Sequence, residues 1–383
     1  MRELKVTTQE AERASYPVFL GSGLDEVFAQ WLRDNGPWGR VALISDERVA
    51  RVHANHWQIM LAAAGLSVVT LTFPAGEASK TRNTKAQLED DLLAKGLGRD
   101  SLIVGLGGGV TLDLAGFVAA TYMRGLPFVS LPTTTLAMVD SAIGGKTGVD
   151  TERGKNLIGA FHPPRAVFAD IAHLETLPEP VYLAGFAEAV KHGLIASARH
   201  FENLERAAAG LLARDSQALE SVLAESVAIK VSFVEKDLRE SNARKALNFG
   251  HTFGHALERL SGWQLSHGEA VARGLLAECR ISRHLHLFSR ANEKRLQQLL
   301  ARFKFVQEPF GHLEPELTPE PRGRLALSAY LQATGSDKKA RGGKVEYVLL
   351  AAIGEVARGG ENGDSWTRPV ADDTIRAALW QTW

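Results

Sequence analysis

The sequence predicts two domains of different class, an α/β domain built on a largely parallel sheet followed by a mainly α-helical domain. Three observations predict it. Short β-branched runs alternate with helical patterns through the first half, helical patterns dominate from about Leu183 onward, and the stretch TLPEP at 176–180 separates the two rhythms. Apolar strands separated by helices favour a parallel sheet covered on both faces. The expected domains are residues 1–178 and 179–383.

The strands expected are Val41–Asp46, Leu66–Pro74, Ser101–Gly109, Leu126–Thr135 and Arg165–Ile171. Between them, 51–65 and 83–96 read as helices, the second with apolar or alanine positions three and four apart. The third strand runs into three consecutive glycines and then an apolar helix over 110–120. In the second half, helical patterns cover 184–198, 200–213, 218–237, 250–260, 268–288 and 292–303. Lys344–Gly354 reads as a strand, and 358–366 as a loop before a final helix.

Composition narrows the function classes. Lysine plus arginine and aspartate plus glutamate number 44 each, which leaves no electrostatic footprint for nucleic acid or an anionic membrane. The single cysteine, Cys279, excludes an intrachain disulfide framework and a cysteine-rich zinc module, and it reads as a core residue. The N-terminus carries no apolar signal segment and no run approaches a membrane span, so a soluble cytoplasmic protein is expected.

Four strand ends carry ligand-binding chemistry. Glycines at a strand-to-helix turn allow close backbone approach, and the helix N-terminus favours an anion such as a pyrophosphate. The spacing GLGGG is not the usual dinucleotide fingerprint, so the context must carry it. Asp46 ends the first strand and can accept from ribose hydroxyls. Thr133 and Thr134 end another, and Pro74–Lys80 forms a polar loop after a third. Together they predict a Rossmann-like nucleotide-binding crevice.

Residues 139–161 concentrate Asp140, Lys146, Lys155 and Asn156 around glycine turns. GGKT resembles a fragment of a phosphate loop, but no glycine stands at the leading position of that pattern. Lysines beside glycine-rich backbone suit a phosphorylated small substrate instead.

The helical half offers a metal site. AEAVK puts Glu188 and Lys191 on one helical face, and NFGHTFGHALE puts His251 and His255 four apart on another. His267 precedes a further helix. A carboxylate and two histidines form a catalytic zinc set with one coordination place left open. Spacing alone leaves open whether His251 or His255 completes the set, the other being free to donate to substrate. Lys230 and Arg244 lie near these ligands in otherwise apolar stretches, and Lys338 and Lys339 occupy a late turn.

The blocks GEASK, GLGGGVTLDLAGFVAATYMRG, PTTTLAMVDSAIGGKTGVDTERGKNLIGAFHPP, TLPEPVYLAGFAEAVKHG, ALNFGHTFGHALE, HGEAVARG and SDKK resemble, in their order, the 3-dehydroquinate synthase family of sugar phosphate cyclases. The likeness runs from about residue 40 to 355. It implies an NAD-binding Rossmann-like α/β domain, a helical metal-binding domain, an active site between them and a homodimer. By the resemblance Glu188, His251 and His267 hold Zn or Co. NAD touches Asp46, the loop Ala75, Gly76, Glu77, Ala78, Ser79 and Lys80, and the turn Gly109, Val110, Thr111, Leu112 and Asp113. It also touches Thr133, Thr134, Lys146, Lys155 and the segment His173, Leu174, Glu175 and Thr176.

The resemblance further implies a substrate cage of Arg124, Asp140, Lys146, Asn156, Lys191, Lys230, Arg244, Asn248, His255 and Lys338 or Lys339, and it allows Arg124 to come from the neighbouring subunit. Asp140, Lys146, Lys191, His255 and Glu240 take the catalytic roles, Glu240 as an orienting acid. The implied substrate is a phosphorylated seven-carbon sugar acid, 3-deoxy-D-arabino-heptulosonate 7-phosphate. It is oxidised by NAD, loses phosphate, is reduced again and closes by intramolecular aldol addition to 3-dehydroquinate. Departures from the family pattern fall at Leu238, Asn242 and Asp150, where Asn242 replaces a usual glycine and can tolerate a glycine-like conformation. The alternatives are a cyclase acting on sedoheptulose 7-phosphate and, more remotely, a metal-dependent polyol dehydrogenase.

Overall fold

A computed structural model of the chain describes residues 15–152, 154–306, 308, 329–334, 345–360 and 363–380. Six parallel strands form the first half: β1 (Val18–Gly21), β2 (Arg40–Asp46), β3 (Ser67–Phe73), β4 (Leu102–Gly107), β5 (Phe128–Pro132) and β8 (Ala166–Asp170). Their order across the sheet is β1-β8-β5-β4-β2-β3. Val41 of β2 lies opposite Val68 on one side and Leu102 on the other.

Alternate residues of each strand serve opposite faces. Val41 and Leu43 pack with Phe28, Trp31 and Leu32 of α1 (Asp25–Asn35) and with Trp57 and Leu61 of α3 (Asn55–Ala63). Ala42 and Ile44 pack on the other face with Leu88 and Leu92 of α4 (Arg82–Ala94) and with Leu112 and Ala115 of α5 (Gly109–Thr121). Burial on both faces is why β4, β5 and β8 are enclosed along their whole length.

Three features of this half differ from the sequence expectation. The edge strand β1, which pairs with β8, was not anticipated, because a four-residue run behind a proline carries no periodicity. The expected helix over 51–65 is a π-helical segment, Ala50–Ala54, leading into α3. Residues 146–161 are not a string of glycine turns but an antiparallel hairpin of β6 (Lys146–Thr151) and β7 (Gly154–Phe161). Gly148 faces Gly159 across that hairpin, and a Cβ on Gly159 would stand 1.9 Å from the Thr147 carbonyl oxygen. Glycine allows this close approach and at the same time hides the strand pattern.

The second half is helical: α6 (Glu179–Ala196), α7 (Ala198–Leu212), α8 (Ser216–Lys236), α9 (His251–Leu260), α10 (His267–His284) and α11 (Arg290–Arg302). α6 is buried on nearly every side, its Glu188, Lys191 and His192 included, and is accordingly central. The expected strand Lys344–Gly354 divides, within the described residues, into β9 (Glu346–Tyr347) and β10 (Leu350–Ala352). They take different partners: β10 pairs with β11 (Glu355–Val356), and β9 with β12 (Arg368–Pro369). A final helix, Asp372–Trp380, follows. Among the described residues no helix is long and apolar enough to cross a membrane.

α9 and α10 carry the histidines, and glycines let them touch. A Cβ on Gly274 would stand 1.9 Å from the Gly250 carbonyl oxygen, and Gly250 itself has φ of 77°. Gly274→Ala is therefore expected to cost at least about 1–3 kcal/mol through overpacking. A lowered denaturant midpoint checks this; an unchanged midpoint would mean the crossing yields freely.

Candidate active site

The candidate site lies where the carboxyl ends of the parallel strands meet the helical half. At its sheet side, β4 ends in Gly107 and α5 begins at Gly109. Gly108, the N-cap, brings no side chain to the first-turn N–H groups, which leaves them for an anion. A Cβ on Gly107 would meet Thr111 at 2.5 Å, one on Gly108 would meet Thr134 at 3.3 Å, and one on Gly109 would meet Ser141 at 3.1 Å. The buried Thr133 hydroxyl has no hydrogen-bond partner among the described residues. Asp46 caps the short helix α2 (Glu47–Val49) and faces the Thr111 hydroxyl at 3.4 Å. Uncapped N–H groups, a glycine cradle and an unpartnered hydroxyl at one strand edge fit a dinucleotide.

Lys80 links this edge to the hairpin. Its buried ammonium donates at 2.5 Å to Asp113 on α5 and at 2.5 Å to Asn156 on β7. Burial opposes its charge, but Asp113 and Glu77 hold its pKa above the ordinary lysine value. Asn156 has φ of 56° and donates its backbone N–H to Asp150. The Asp150 carboxyl is pushed up by burial to about 6, against the pull of Lys80. Lys146 pairs with Glu240, which also accepts from Asn248. Lys155 donates to Glu258 at 3.1 Å, with Glu77 at 3.4 Å and the Trp263 ring centroid at 4.6 Å.

A cationic group stands between the halves. Asp140, in the π-helical turn Ala137–Ser141 after β5, accepts from buried Lys230 of α8 at 2.6 Å. Burial lowers the Lys230 pKa to about 8, although Asp140 resists the fall. Burial opposes ionisation of Asp140, but Lys230 holds its pKa well below the usual carboxylate range. Arg244 is buried and donates to the Leu238 carbonyl at 2.6 Å. Asp237 gathers the backbone N–H groups of Ser241, Asn242 and Arg244. In this turn Asn242 has φ of −146°, and Glu240, at 57°, takes the left-handed conformation. The three bonds to Asp237 hold the turn without a glycine at 242.

The helical side supplies a cluster of metal donors. Ligand atoms of Glu188, His251 and His267 lie within 4.8 Å of one another. Nε2 of His251 is 3.3 Å and Nε2 of His267 is 3.2 Å from Oε1 of Glu188. Nδ1 of His251 faces the Phe249 carbonyl at 3.2 Å, so Nδ1 donates and Nε2 turns its lone pair to the Glu188 oxygen. Two acceptors facing each other in a buried place are what a cation reconciles, so these residues fit a divalent metal. Burial disfavours charge on His267, but Glu188 and Glu258 push its pKa up to about 10. Glu188 is fully buried and ionised, its pKa held far down by Lys191 and His251 against burial. His251 faces Glu188, and His255 falls in a second cluster with Glu258 and His267.

Arg124 lies far from the glycine turn, whereas 173–176 follow β8 at the carboxyl edge of the sheet. Arg124 is exposed past the far end of α5, a 13-residue helix and so about 20 Å from the glycine turn. His173 is buried, kept neutral by burial at a pKa of about 4, and accepts from Trp57. The Leu174 and Glu175 carbonyls accept from Arg214, and the Thr176 hydroxyl pairs with His53. Lys338 and Lys339 lie outside the described residues. Sequence reasoning missed Glu258 and His192. Glu258 stands three after His255, a spacing that shares a helix face. His192, four after Glu188, faces the Ser226 hydroxyl at 2.7 Å and groups with Asp140 and Glu188.

Comparison with known proteins bears on these features. The 3-dehydroquinate synthase N-terminal model matches residues 70–184 and the C-terminal model residues 185–340. The chain is 43% identical to 3-dehydroquinate synthase of Geobacter metallireducens, over 89% of this chain and 91% of that protein. It is also 43% identical to that of Symbiobacterium thermophilum, over 95% and 97%. The structure of 2-epi-5-epi-valiolone synthase from Streptomyces hygroscopicus, with NAD+ and Zn2+ bound, superposes with a TM-score of 0.83 at 27% identity, covering 99% of each chain. A 2-deoxy-scyllo-inosose synthase complexed with carbaglucose-6-phosphate, NAD+ and Co2+ gives 0.83 at 26% identity, covering 95% and 96%. Glycerol dehydrogenase from Schizosaccharomyces pombe, at 16% identity and a TM-score of 0.66, shares the fold alone. The chain belongs to the 3-dehydroquinate synthase family.

Proposed function

We propose that the chain converts 3-deoxy-D-arabino-heptulosonate 7-phosphate to 3-dehydroquinate and phosphate, a lyase step of the shikimate pathway towards chorismate and the aromatic amino acids. The observation that carries the reading is one juxtaposition. A Glu188–His251–His267 donor set, with Glu188 and His251 buried and His267 partly so, groups through Glu188 with Asp140, which is paired to Lys230, and Asp140 adjoins Ser141 at the glycine turn. Identity of 40–43% to curated 3-dehydroquinate synthases favours this substrate over those of the cyclases matched at 26–27%.

Glu188, His251 and His267 would hold a Zn or Co ion, and the glycine turn with Asp46, the 75–80 loop, Thr133, Thr134, Lys146, Lys155 and 173–176 would hold NAD. When bound, NAD would supply reversible hydride transfer and the metal would supply polarisation of a substrate oxygen. The chain's own residues bind and orient. Lys230 and Arg244 recognise the substrate carboxylate, and Lys146, Asn156 and Asn248 cradle the phosphate end, with Lys338 or Lys339 joining the cage. Glu240 orients Lys146 and Asn248, and Asp140 holds Lys230. Lys191 and His255 contact reacting hydroxyls and support proton transfer, while the substrate phosphate assists removal of the C5 proton. The domain boundary falls between 178 and 179, at the start of α6, and the working form is a cytoplasmic homodimer in which Arg124 reaches the neighbouring site.

Two measurements test this. With NAD+ and Co2+ present, phosphate release is expected from the heptulosonate phosphate and not from sedoheptulose 7-phosphate; the reverse preference would overturn the substrate assignment. Lys230 loses its charge as pH rises through about 8, so kcat/KM for the anionic substrate should fall above that pH. A flat profile to pH 9.5 would contradict its role.

A further inference from the structure

Glu258, on α9, is a buried carboxylate to which the reading above gives no part. Its side chain is 2% exposed, and its Oε1 stands 3.1 Å from Lys155 Nζ and 3.7 Å from Nδ1 of His267. The other nitrogen of that ring, Nε2, is 3.2 Å from Oε1 of Glu188. The imidazole therefore stands between two carboxylates, one at each nitrogen. An ionised carboxylate only accepts, so Glu258 favours the proton on Nδ1 and leaves the Nε2 lone pair for a cation beside Glu188. Lys155 approaches the same Oε1 from β7 of the sheet domain, held by Glu77 and lying over Trp263. The second oxygen of Glu258 is buried and has no hydrogen-bond partner among the described residues.

We infer that Glu258 is a positioning residue that orients His267 towards a metal shared with Glu188 and His251, and that it ties this orientation to Lys155 on the β6–β7 hairpin. The inference rests on the metal-site reading above. A ligand in the helical domain and a cation on the α/β domain thereby share one carboxylate.

The test is a Co2+ titration of the metal-stripped full chain against a competing chelator, with the visible spectrum of the bound ion recorded. Glu258→Ala is expected to weaken Co2+ binding by about 10–100-fold and to displace the visible bands. Glu258→Gln keeps the volume and one acceptor, so a smaller weakening with a band shift is expected. It carries the test should the alanine variant fail to fold. Wild-type affinity and an unshifted spectrum in the folded variants would overturn the inference. His267→Ala separates the two levels: if it binds Co2+ as tightly as wild type, the metal site itself is misread. If it loses Co2+ while Glu258→Ala does not, only the role of Glu258 falls. Lys155→Ala should shift the same bands; an unmoved spectrum would remove the tie to the hairpin.

Discussion

Glu188→Gln is expected to abolish stoichiometric metal binding and to lower kcat/KM by about 10³-fold or more. Glu188 is the only anion in its donor set, and its oxygen faces both histidines. Glutamine keeps the shape but presents a neutral oxygen that binds a divalent ion weakly. Metal polarisation of a reacting oxygen is worth several kcal/mol, and about 1.4 kcal/mol is tenfold in rate. The substitution also leaves the buried Lys191 ammonium without its countercharge. Metal content by elemental analysis and far-ultraviolet circular dichroism together separate loss of the ion from loss of the fold. A folded variant that keeps one tightly bound metal and wild-type turnover would remove Glu188 from the site.

Lys230→Met is expected to cost both stability and activity, for distinct reasons. Lys230 is buried against Asp140, and removing one partner of such a pair costs about 3–5 kcal/mol because the other charge stays behind. The Asp140 side chain is 28% exposed, so water can reach it and the loss should fall at the lower end. Adding Asp140→Asn removes the stranded charge, so the double variant should regain most of the stability. It should not regain full turnover, since of the two cations proposed for the substrate carboxylate only Arg244 remains. Denaturant unfolding of the four proteins gives the coupling energy directly. A double variant as unstable as the single would show that packing, and not charge, governs the site.

What the sequence made legible follows from physical visibility. β2, β4, β5 and β8 are readable because a parallel sheet covered on both faces demands continuous apolar runs. The hairpin β6–β7 is invisible because Gly148, Gly154 and Gly159, which let it close tightly, carry no strand propensity. Glu188 and Lys191 stand out as charges in an apolar helix. Glu258 does not, since a lone glutamate beside Arg259 reads as a solvent-facing residue. Only its spacing from His255 could have singled it out. Asn242 stands where the family usually has glycine, but the left-handed residue of this turn is Glu240, a placement no sequence pattern marks.

The most direct test of the central claim is product analysis with catalytic NAD+. The purified chain, loaded with Co2+ and supplied with far less NAD+ than 3-deoxy-D-arabino-heptulosonate 7-phosphate, is followed for phosphate, for NADH absorbance and for product by NMR. The account predicts one phosphate and one 3-dehydroquinate per substrate consumed, many turnovers per NAD+, and no accumulating NADH. Turnover that stops after one equivalent of NAD+, with NADH formed and phosphate retained on the product, would contradict it and identify a dehydrogenase on the same fold.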